Sequence, residues 1–502
     1  VNLDNDDRDL GGTFKRLVAR VGEPVIRQAV ITAMRILGKQ FVMGRDIDEA
    51  LARARGPEKQ GYRHSYDMLG EAARSSHDAL RYFESYTAAI KAIGVVADGL
   101  PALEAPSISV KLSALHPRFE VANKERLRRE LWPAVKALAL KAKVHNVGFT
   151  IDAEEADRLE ITLDLVEALA LDSELHGWNG LGLAVQAYQK RALPTLDWLA
   201  DLAYRAKRRL MVRLVKGAYW DAEIKMAQER GLSQYPVFTR KASTDVSYLA
   251  CARRLLADPL AFYPAFATHN AHTLAAIAEM AGDSRDWEYQ RLHGMGEELY
   301  DEVVGKGKWG RPCRVYAPVG SHEDLLAYLV RRLLENGANS SFVNRIADAE
   351  LPIERLLADP VEAVRALPVK PHPRIPLPRD LFGAERANSE GLDMNDQATL
   401  DSLRGALEAS AQTRYTAAPL IGGQPLVGER RPVCAPADRR EVVGQVIEAT
   451  RDAAAEAMAR AQRTLDAAKR KADVERATLP KAAGMLASAR TGEEMFSVGK
   501  LY

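Results

Sequence analysis

The chain has 502 residues and a mass of 55.3 kDa, and its 70 Lys and Arg against 68 Asp and Glu leave a formal net charge of only +2. This near balance argues against a nucleic-acid-binding chain, whose footprint is a strongly basic domain, and the 47% apolar composition argues against extensive disorder. Its three cysteines form no CxxC pair and no apolar run is long enough to span a membrane, so we expect a cytosolic enzyme of several domains.

Residues 1–100 are predicted to form a helical lead-in that packs on the following domain. Ile26, Ala29, Val30 and Ala33 repeat at three- and four-residue spacing, which is the period of an amphipathic helix. The stretch 66–93 has a similar period. Nothing in this segment indicates chemistry.

From residue 107 onward, short apolar runs alternate with helical stretches. The predicted strands are 108–112, 147–151, 183–186, 211–215, 265–268, 289–292, 314–316 and 341–343. Such alternation indicates parallel β-α units. Eight units in about 240 residues fit an α/β fold of the (β/α)8 barrel type, here placed at 101–350. A doubly wound sheet is the alternative, although no GxGxxG motif follows a strand to support it.

The composition changes again after the predicted barrel. Five prolines fall between residues 368 and 378, which is typical of an extended connector, and we assign 351–415 to a linker. The remaining residues, 416–502, are predicted to form a small separate unit that contains an Ala-rich helix over 451–471.

Polar side chains gather at the predicted carboxyl ends of the strands, where a (β/α)8 barrel has its active site. They are Lys111, Ser113, Asp152, Glu154, Gln186, Arg213, Lys216, Thr268, His269, Asn270 and Tyr316. Polar groups buried there need a partner or a ligand. Asp152 could instead form a structural ion pair with Lys111 or Arg213, and His269 could be a structural histidine. No metal is expected, because the strand ends lack clustered metal ligands.

A helix predicted near the end of the barrel has the sequence YLVRRLLE at residues 328–335. Glu335 follows Arg331 by one turn, so it can pair with Arg331 or Arg332. An arginine pair held in this way is suited to bidentate capture of a carboxylate, although a structural salt bridge is the alternative. Cations outnumber acids in this predicted site, which indicates an anionic small molecule and a phosphate-bearing cofactor. They are Lys111, Arg213, Lys216, Arg331 and Arg332.

Six motifs occur in the order of a known family. They are SVKLSALHP (109–117), IDAEE (151–155), VQAY (185–188), RLVKGAYW (213–220), THN (268–270) and YxxRRxxE (328–335). They resemble the barrel of the flavin-dependent proline dehydrogenases, and more closely that of the bifunctional bacterial proline utilization A proteins. The resemblance implies FAD as cofactor and oxidation of L-proline to Δ1-pyrroline-5-carboxylate, by hydride transfer from proline carbon C5 to flavin nitrogen N5, as the first step of proline catabolism to glutamate.

The same resemblance implies the role of each site residue. Arg213 would stabilise negative charge on the reduced flavin, and Asp152 would orient Lys111 or Arg213. Proline would bind through its carboxylate and beneath a cover of side chains, contributed by Lys111, Arg331, Arg332, Glu335, Tyr316, Tyr219 and Leu292. The cofactor contacts would be Gln186, Arg213, Lys216, Gly217, Ala218, Trp220, Lys241, Thr244, Thr268, His269 and Asn270. A side chain at position 217 would block close backbone approach.

The resemblance also implies partners and a location. It implies a quinone electron acceptor and, for a cytoplasmic protein, peripheral contact with the inner membrane. Some members of the family add a DNA-binding segment at the N-terminus. We expect none here and therefore no nucleic-acid partner.

Residues 416–502 resemble the opening of a pyrroline-5-carboxylate (aldehyde) dehydrogenase domain. The chain ends before an NAD-binding fold or a catalytic cysteine could occur, so we expect no aldehyde dehydrogenase activity. Two other functions remain open for the whole chain. One is a Schiff-base lyase or aldolase that uses Lys111 or Lys216 as the amine nucleophile, and the other is a non-catalytic scaffold.

Overall fold

The computed structural model describes residues 40–97, 99–321, 328–332 and 358–488, with side chains as far as 481. The chain divides into two compact units between Leu400 and Asp401.

Eight parallel strands close into a barrel in the first unit, and each lies beside its neighbours in sequence. The circle closes where the first strand pairs with both the second and the eighth. The strands are β1 (Tyr62–Met68), β2 (Ser107–Val110), β3 (Gly148–Ile151), β4 (Leu181–Gln186), β5 (Leu210–Val215), β6 (Phe262–Ala267), β7 (Glu288–Leu292) and β8 (Cys313–Val319). The predicted (β/α)8 barrel is confirmed.

Helices lie between successive strands and bury one apolar stripe each. Lys124–Val144, for example, buries Leu127, Leu131, Val135 and Leu138, which are three or four residues apart. The helices of this unit are α1 (Ile47–Gln60), α2 (Ser76–Ala97), α3 (Leu112–Leu115), α4 (Lys124–Val144), α5 (Leu159–Leu171), α6 (Ala192–Arg205), α7 (Trp220–Glu229), α8 (Lys241–Leu256), α9 (Ala271–Ala281), α10 (Glu297–Asp301) and α11 (Pro360–Arg365).

Side chains alternate in direction along each strand, and polar ones point into the barrel. In β5, Val212 and Leu214 belong to the main hydrophobic core. Arg213, between them, reaches instead to Ser65 of β1 and Ser109 of β2. Successive side chains of a strand point to opposite faces, so the polar residues that precede the strand ends share the interior of the barrel.

The prediction for the first 100 residues is wrong at one element. Strand β1 lies in the segment read as helical, and its residues are almost all buried. The helical period detected from residue 66 onward belongs to α2, which begins only at Ser76. The predicted strand at 341–343 lies outside the described residues. The other seven predicted strands are present, and β1, which was not predicted, is the eighth strand of the barrel.

The proline-rich segment after α11 has no regular helix or strand between Ala366 and Leu377, as expected of a connector. It lies along the barrel rather than away from it. Arg240 Nε donates hydrogen bonds to the carbonyls of Lys370 and Pro371, at 3.0 and 3.1 Å. Tyr235 OH donates to the carbonyl of Pro376 at 2.7 Å.

Helix α12 (Gln397–Ala411) spans the division between the units. The described part of the second unit has five short strands and one long helix, which extends beyond the predicted 451–471. These elements are β9 (Tyr415–Ala417), β10 (Leu420–Ile421), β11 (Gln424–Pro425), β12 (Arg431–Cys434), β13 (Val442–Val446) and α13 (Arg451–Ser488). Among the helices in the described ranges, none is long and apolar enough to cross a membrane.

Candidate active site

Arg213 is the centre of a buried polar network at the carboxyl end of the barrel. Its Nη1 donates to Asp152 Oδ1 at 2.5 Å, and its Nε donates to Gln290 Oε1 at 2.7 Å. Its Nη2 donates to Ser109 Oγ at 2.7 Å and to Ser65 Oγ at 3.2 Å. Bonds to side chains of four other strands or strand ends fix the guanidinium in one orientation.

Lys111 is the second buried cation, and two carboxylates hold it. Its Nζ lies 2.7 Å from Asp67 Oδ2 and 3.3 Å from Asp152 Oδ2. It also donates to Tyr316 OH at 3.1 Å, while that hydroxyl donates to Asp152 Oδ2 at 2.6 Å. The tyrosine ring is therefore fixed at the mouth, with the Arg213 guanidinium 5.0 Å from its centroid.

The environment drives the ionisation of the two aspartates in opposite directions. Burial raises the pKa of Asp67, and the charge of Lys111 only partly opposes it. Burial also acts on Asp152, but the charges of Lys111 and Arg213 outweigh it and lower the pKa of that carboxyl. Although burial opposes its charge, the two acids raise the pKa of Lys111 well above its usual value. These acids favour the cationic form of Lys111, which disfavours Lys111 as the nucleophile of the Schiff-base alternative because an amine nucleophile must be neutral.

Arg331 makes a bidentate pair with an acid that the sequence analysis did not assign. Its Nη1 and Nη2 donate to the two oxygens of Glu71 at 2.6 and 2.8 Å. The guanidinium also lies 5.2 Å from the centroid of the Tyr219 ring. Glu335, the predicted partner, lies outside the described residues. The fork of Arg331 therefore faces the carboxylate of Glu71, whereas the predicted capture of a substrate carboxylate stays a prediction.

Arg332 and Leu292 complete the expected substrate side. Arg332 is buried, with its guanidinium 5.2 Å from the ring centroid of Tyr328. Leu292 ends β7, and both it and Tyr316 pack against a small cluster that includes Tyr328 and Met295. The structure thus brings Arg332, Leu292 and Tyr316 to one apolar cluster.

Acids that the sequence analysis did not count lie beside the predicted cations. Lys111 faces Asp67 and Asp152, Lys216 pairs with Asp245, and Arg331 pairs with Glu71. Asp67 and Glu71 lie in or just after β1, the strand read as helix, so their charges were left out of the balance.

The opposite side of the mouth offers groups that suit phosphate. Lys216 Nζ hydrogen-bonds to Asp245, and Lys241 Nζ lies 3.9 Å from the other oxygen of that acid. Helices α8 and α9 pack together, and neither has an acidic residue in its first turn. A helix N-terminus attracts anions through its free N–H groups and its dipole. Two such ends beside two lysines and one acid fit the diphosphate of a dinucleotide.

Other expected cofactor residues shape this side of the mouth. Thr268 is buried, and its Oγ1 accepts from the backbone N–H of Asn270 at 3.1 Å. Asn270 caps α9, where its Oδ1 accepts from Thr273 N–H at 2.9 Å. His269 Nε2 accepts from Leu292 N–H at 3.1 Å, so it joins the ends of β6 and β7. Thr244 is buried in the first turn of α8.

The loop after β5 and the end of β4 meet at Tyr188. Gly217 has φ +132°, and a Cβ there would lie 2.4 Å from the Tyr188 ring. The close approach that requires glycine is therefore made by a tyrosine. Trp220 donates its indole N–H to the carbonyl of Phe238 at 2.8 Å. Gln186 is buried and its Oε1 accepts from Gln189, while Ala218 is exposed.

The chain matches two family models. A model of the proline dehydrogenase family matches residues 50–345. A second model, the DNA-binding domain of proline dehydrogenase, matches residues 1–41. This second match goes against the expectation that the chain has no DNA-binding segment. The charge of a whole chain averages over its domains, so it does not report on a segment of this size.

Similarity to individual proteins extends beyond the barrel. The bifunctional protein PutA of Klebsiella aerogenes is 56% identical over 458 residues, which are 89% of this chain and 35% of that protein. The proline dehydrogenase of Deinococcus radiodurans is 28% identical over 337 residues, covering 66% of this chain and 96% of its own length. The chain thus spans about a third of the length of the first relatives it matches.

Solved structures agree with the barrel. Proline utilization A of Bdellovibrio bacteriovorus, inactivated by N-propargylglycine, matches with a TM-score of 0.75 and 28% identity, over 86% of this chain and 45% of that one. A variant of the Bradyrhizobium japonicum protein of the same name matches with a TM-score of 0.71 and 54% identity, over 78% and 40%.

Proposed function

The chain belongs to the proline dehydrogenase family, and from this we propose that its barrel oxidises L-proline to Δ1-pyrroline-5-carboxylate with FAD as cofactor. The observation that carries the proposal is the buried network of Lys111, Asp152, Arg213 and Tyr316 at the carboxyl end of the barrel. Such a network is costly to bury, so its position at the mouth indicates a site rather than a stabilising core.

Substrate binding is assigned to the cations of the mouth. Arg331 holds the carboxylate of Glu71 in bidentate geometry, which is the geometry needed for the carboxylate of proline. Proline would take the place of Glu71 on one guanidinium edge, with Lys111 and Arg332 as further cations. Because the pKa of Glu71 is lowered by Arg331 despite burial, that acid is ionised and competes as a carboxylate.

The substrate ring would lie under Tyr316, Tyr219 and Leu292. Tyr316 cannot swing away easily, because its hydroxyl bonds to both Asp152 and Lys111. A fixed ring would crowd a hydroxyl added to proline, so we propose a preference for proline over hydroxyproline. Asp152 would keep the largely buried Arg213 and Lys111 oriented.

FAD is proposed on the donor set of the opposite side. Lys216, Lys241 and the N-termini of α8 and α9 would hold its diphosphate. When bound, the flavin supplies the hydride acceptor, and the protein orients the flavin and sets the electrostatic field around it. Arg213 would contribute positive charge beside the ring. A membrane quinone as final acceptor and a peripheral location in the cytoplasm are proposed from the family resemblance.

The test is a visible absorbance spectrum of the purified full chain, with and without L-proline and without oxygen. We expect a flavin band that bleaches on addition of proline, together with a product that o-aminobenzaldehyde traps as a coloured adduct. Glycine, which has the carboxylate but no ring, serves as the matched control. A chain that binds no flavin, or whose flavin proline does not reduce, contradicts the proposal.

A further inference from the structure

Helix α7 carries a buried carboxyl group that the site described above does not use. Glu223 lies in the first turn of α7, and only 2% of its surface is exposed. Asp221, in the same turn, is exposed. An acid in a first turn can favour the helix dipole from the surface, whereas burying a carboxylate costs free energy unless partners compensate. The position of Glu223 therefore requires a reason other than helix stability.

The partners of Glu223 come from loops that follow two other strands. Its Oε1 accepts a hydrogen bond from the backbone N–H of Ala156 at 2.7 Å. Ala156 follows Asp152 by four residues in the loop after β3. The same oxygen accepts from Tyr188 OH at 3.4 Å, and Tyr188 follows Gln186 by two residues after β4. One oxygen atom thus connects the loop of Asp152 with the loop of Gln186.

Tyr188 extends this connection to a third loop. Its backbone N–H donates to the carbonyl of Lys216 at 2.8 Å, and its ring fills the space in front of Gly217. Glu223 also lies in the helix that follows this loop, and its own N–H donates to the carbonyl of Tyr219 at 2.9 Å. The loops after β3, β4 and β5 therefore meet at one carboxyl group.

The charged groups that face Glu223 do not neutralise it. They are Asp157 and Glu155, from the loop after β3, which pair with Arg230 and Arg158 respectively. In the part of the chain that the structure describes, Glu223 makes no ion pair. The titratable group that faces it from the loop after β4 is Tyr188. Burial, with a smaller contribution from the two acids, raises the pKa of Glu223 to about 7.

Resting on the proposed function, we propose that Glu223 is a positioning residue, which holds the loops after β3, β4 and β5 together so that Asp152, Gln186 and Lys216 meet the flavin in one arrangement. Because burial outweighs the hydrogen bonds from the Ala156 N–H and the Tyr188 hydroxyl, the assembled loops favour the neutral form of this carboxyl. The loops are therefore held more firmly below the pKa of this group than above it, where an ionised carboxyl would have to stay buried.

The experiment measures FAD binding by the full chain, after its flavin has been removed, from the quenching of FAD fluorescence between pH 6 and pH 8.5. Glu223→Gln keeps a neutral acceptor oxygen and cannot ionise, whereas Glu223→Ala loses the acceptor. Glu229→Gln is the matched control, because Glu229 is an exposed acid at the other end of the same helix.

We expect the Kd of the wild-type chain for FAD to rise several-fold from pH 6 to pH 8. Glu223→Gln should stay, at every pH, near the tighter value that the wild-type chain shows at pH 6. Glu223→Ala should bind at least several-fold more weakly than Glu223→Gln, and Glu229→Gln should follow the wild-type chain. A purely structural role would not remove the pH dependence in Glu223→Gln.

Parallel pH profiles for the wild-type chain and Glu223→Gln would overturn this inference and leave the proposed function standing. The same holds for a folded Glu223→Ala that binds FAD as tightly as the wild-type chain. If Glu223→Ala does not fold, the comparison with Glu223→Gln decides alone. A wild-type chain that binds no FAD at any pH would instead overturn the proposed function, and this inference with it.

Discussion

Arg331 is already paired with a carboxylate of the chain, that of Glu71, which would compete with a substrate carboxylate for it. The pair is bidentate and partly buried, so the guanidinium is already in the orientation that a substrate carboxylate needs. Binding then exchanges one carboxylate for another at the same cation. The net gain is smaller than the full strength of the new pair, because the old pair must be given up.

Arg331→Met is expected to raise KM for proline. Losing a charge-assisted bidentate contact costs about 2–5 kcal/mol when no competing pair is given up. Because binding exchanges Glu71 for the substrate, we expect a net loss of about 2 kcal/mol at most, which is a KM up to about 30-fold higher. Arg331→Lys should fall in between, because an ammonium cannot make the bidentate contact. Steady-state kinetics with an artificial electron acceptor measure both.

Arg205→Met is the matched control for this prediction, since Arg205 pairs with Asp201 and Glu167 on the outer surface of the barrel. It should leave KM unchanged. An unchanged KM in Arg331→Met would remove Arg331 from carboxylate binding.

His293 makes stability depend on pH at a residue outside the proposed chemistry. Burial, with the charge of Arg291, lowers its pKa to about 4 in the folded chain. The unfolded chain binds this proton near pH 6.5, so between pH 6.5 and pH 4 it holds a proton that the folded chain lacks. The free energy of unfolding therefore falls with falling pH, by up to about 1.4 kcal/mol per pH unit from this group.

His293→Asn is expected to remove that dependence. Urea unfolding of the variant, followed by tryptophan fluorescence at pH 7, 6 and 5, should lose less stability on acidification than the wild-type chain does. His77→Asn, at an exposed position of α2, should behave as the wild-type chain. Equal losses in His293→Asn and the wild-type chain would show that His293 does not titrate as proposed.

Site residues could be predicted where their strand was recognised. Lys111, Asp152, Arg213 and Tyr316 follow or end apolar runs, and the structure brings them into one network. Asp67 and Glu71 could not be found in the same way, because β1 was read as helix. The available signal for this strand was the alternation of the ring side chains Tyr62, His64 and Tyr66 with polar residues. Its period is two residues, as in a strand, rather than the three or four of a helix.

At the scale of elements, loops and not strands determine how the two sides of the mouth are joined. The loop after β5 turns at Gly217 because only a residue without Cβ allows the Tyr188 ring to pack there at φ +132°. The family resemblance implied a close approach to the backbone at Gly217, made by the cofactor. It did not indicate Tyr188, because this residue reaches Gly217 from another strand.

Gly217→Ala is expected to destabilise the barrel by about 2–4 kcal/mol, from backbone strain and from a Cβ that overlaps a buried ring. Gly282→Ala separates the two causes. Gly282 has φ +51° and ψ −126° and nothing within 4 Å of an added Cβ, so backbone strain alone should cost about 1–3 kcal/mol. Denaturant unfolding measures both, and FAD fluorescence should show weaker binding in Gly217→Ala alone. Equal destabilisation of the two variants would contradict the role assigned to Tyr188.

At the scale of the whole molecule, the total charge concealed the pairing inside the site. A net charge of +2 is compatible with any local arrangement, and Asp67, Glu71 and Asp245 lie beside cations of the predicted site. Selectivity for an anion then rests on cations that are held in place and can exchange partners. It does not rest on a positive field over the entire mouth.

The division after Leu400 leads to a test of what the second unit contributes. Within the described residues, every contact given above for the substrate and cofactor sides comes from residues before Leu400. A chain that ends after Gln412 keeps α12, whose Gln397 N–H donates to Glu160 at 3.2 Å and whose Leu400 packs on the barrel core. We expect this shortened chain to retain its flavin content and its KM for proline. Loss of flavin on shortening, measured by absorbance per mole of protein, would show that the second unit supports the site and that the barrel is not self-sufficient.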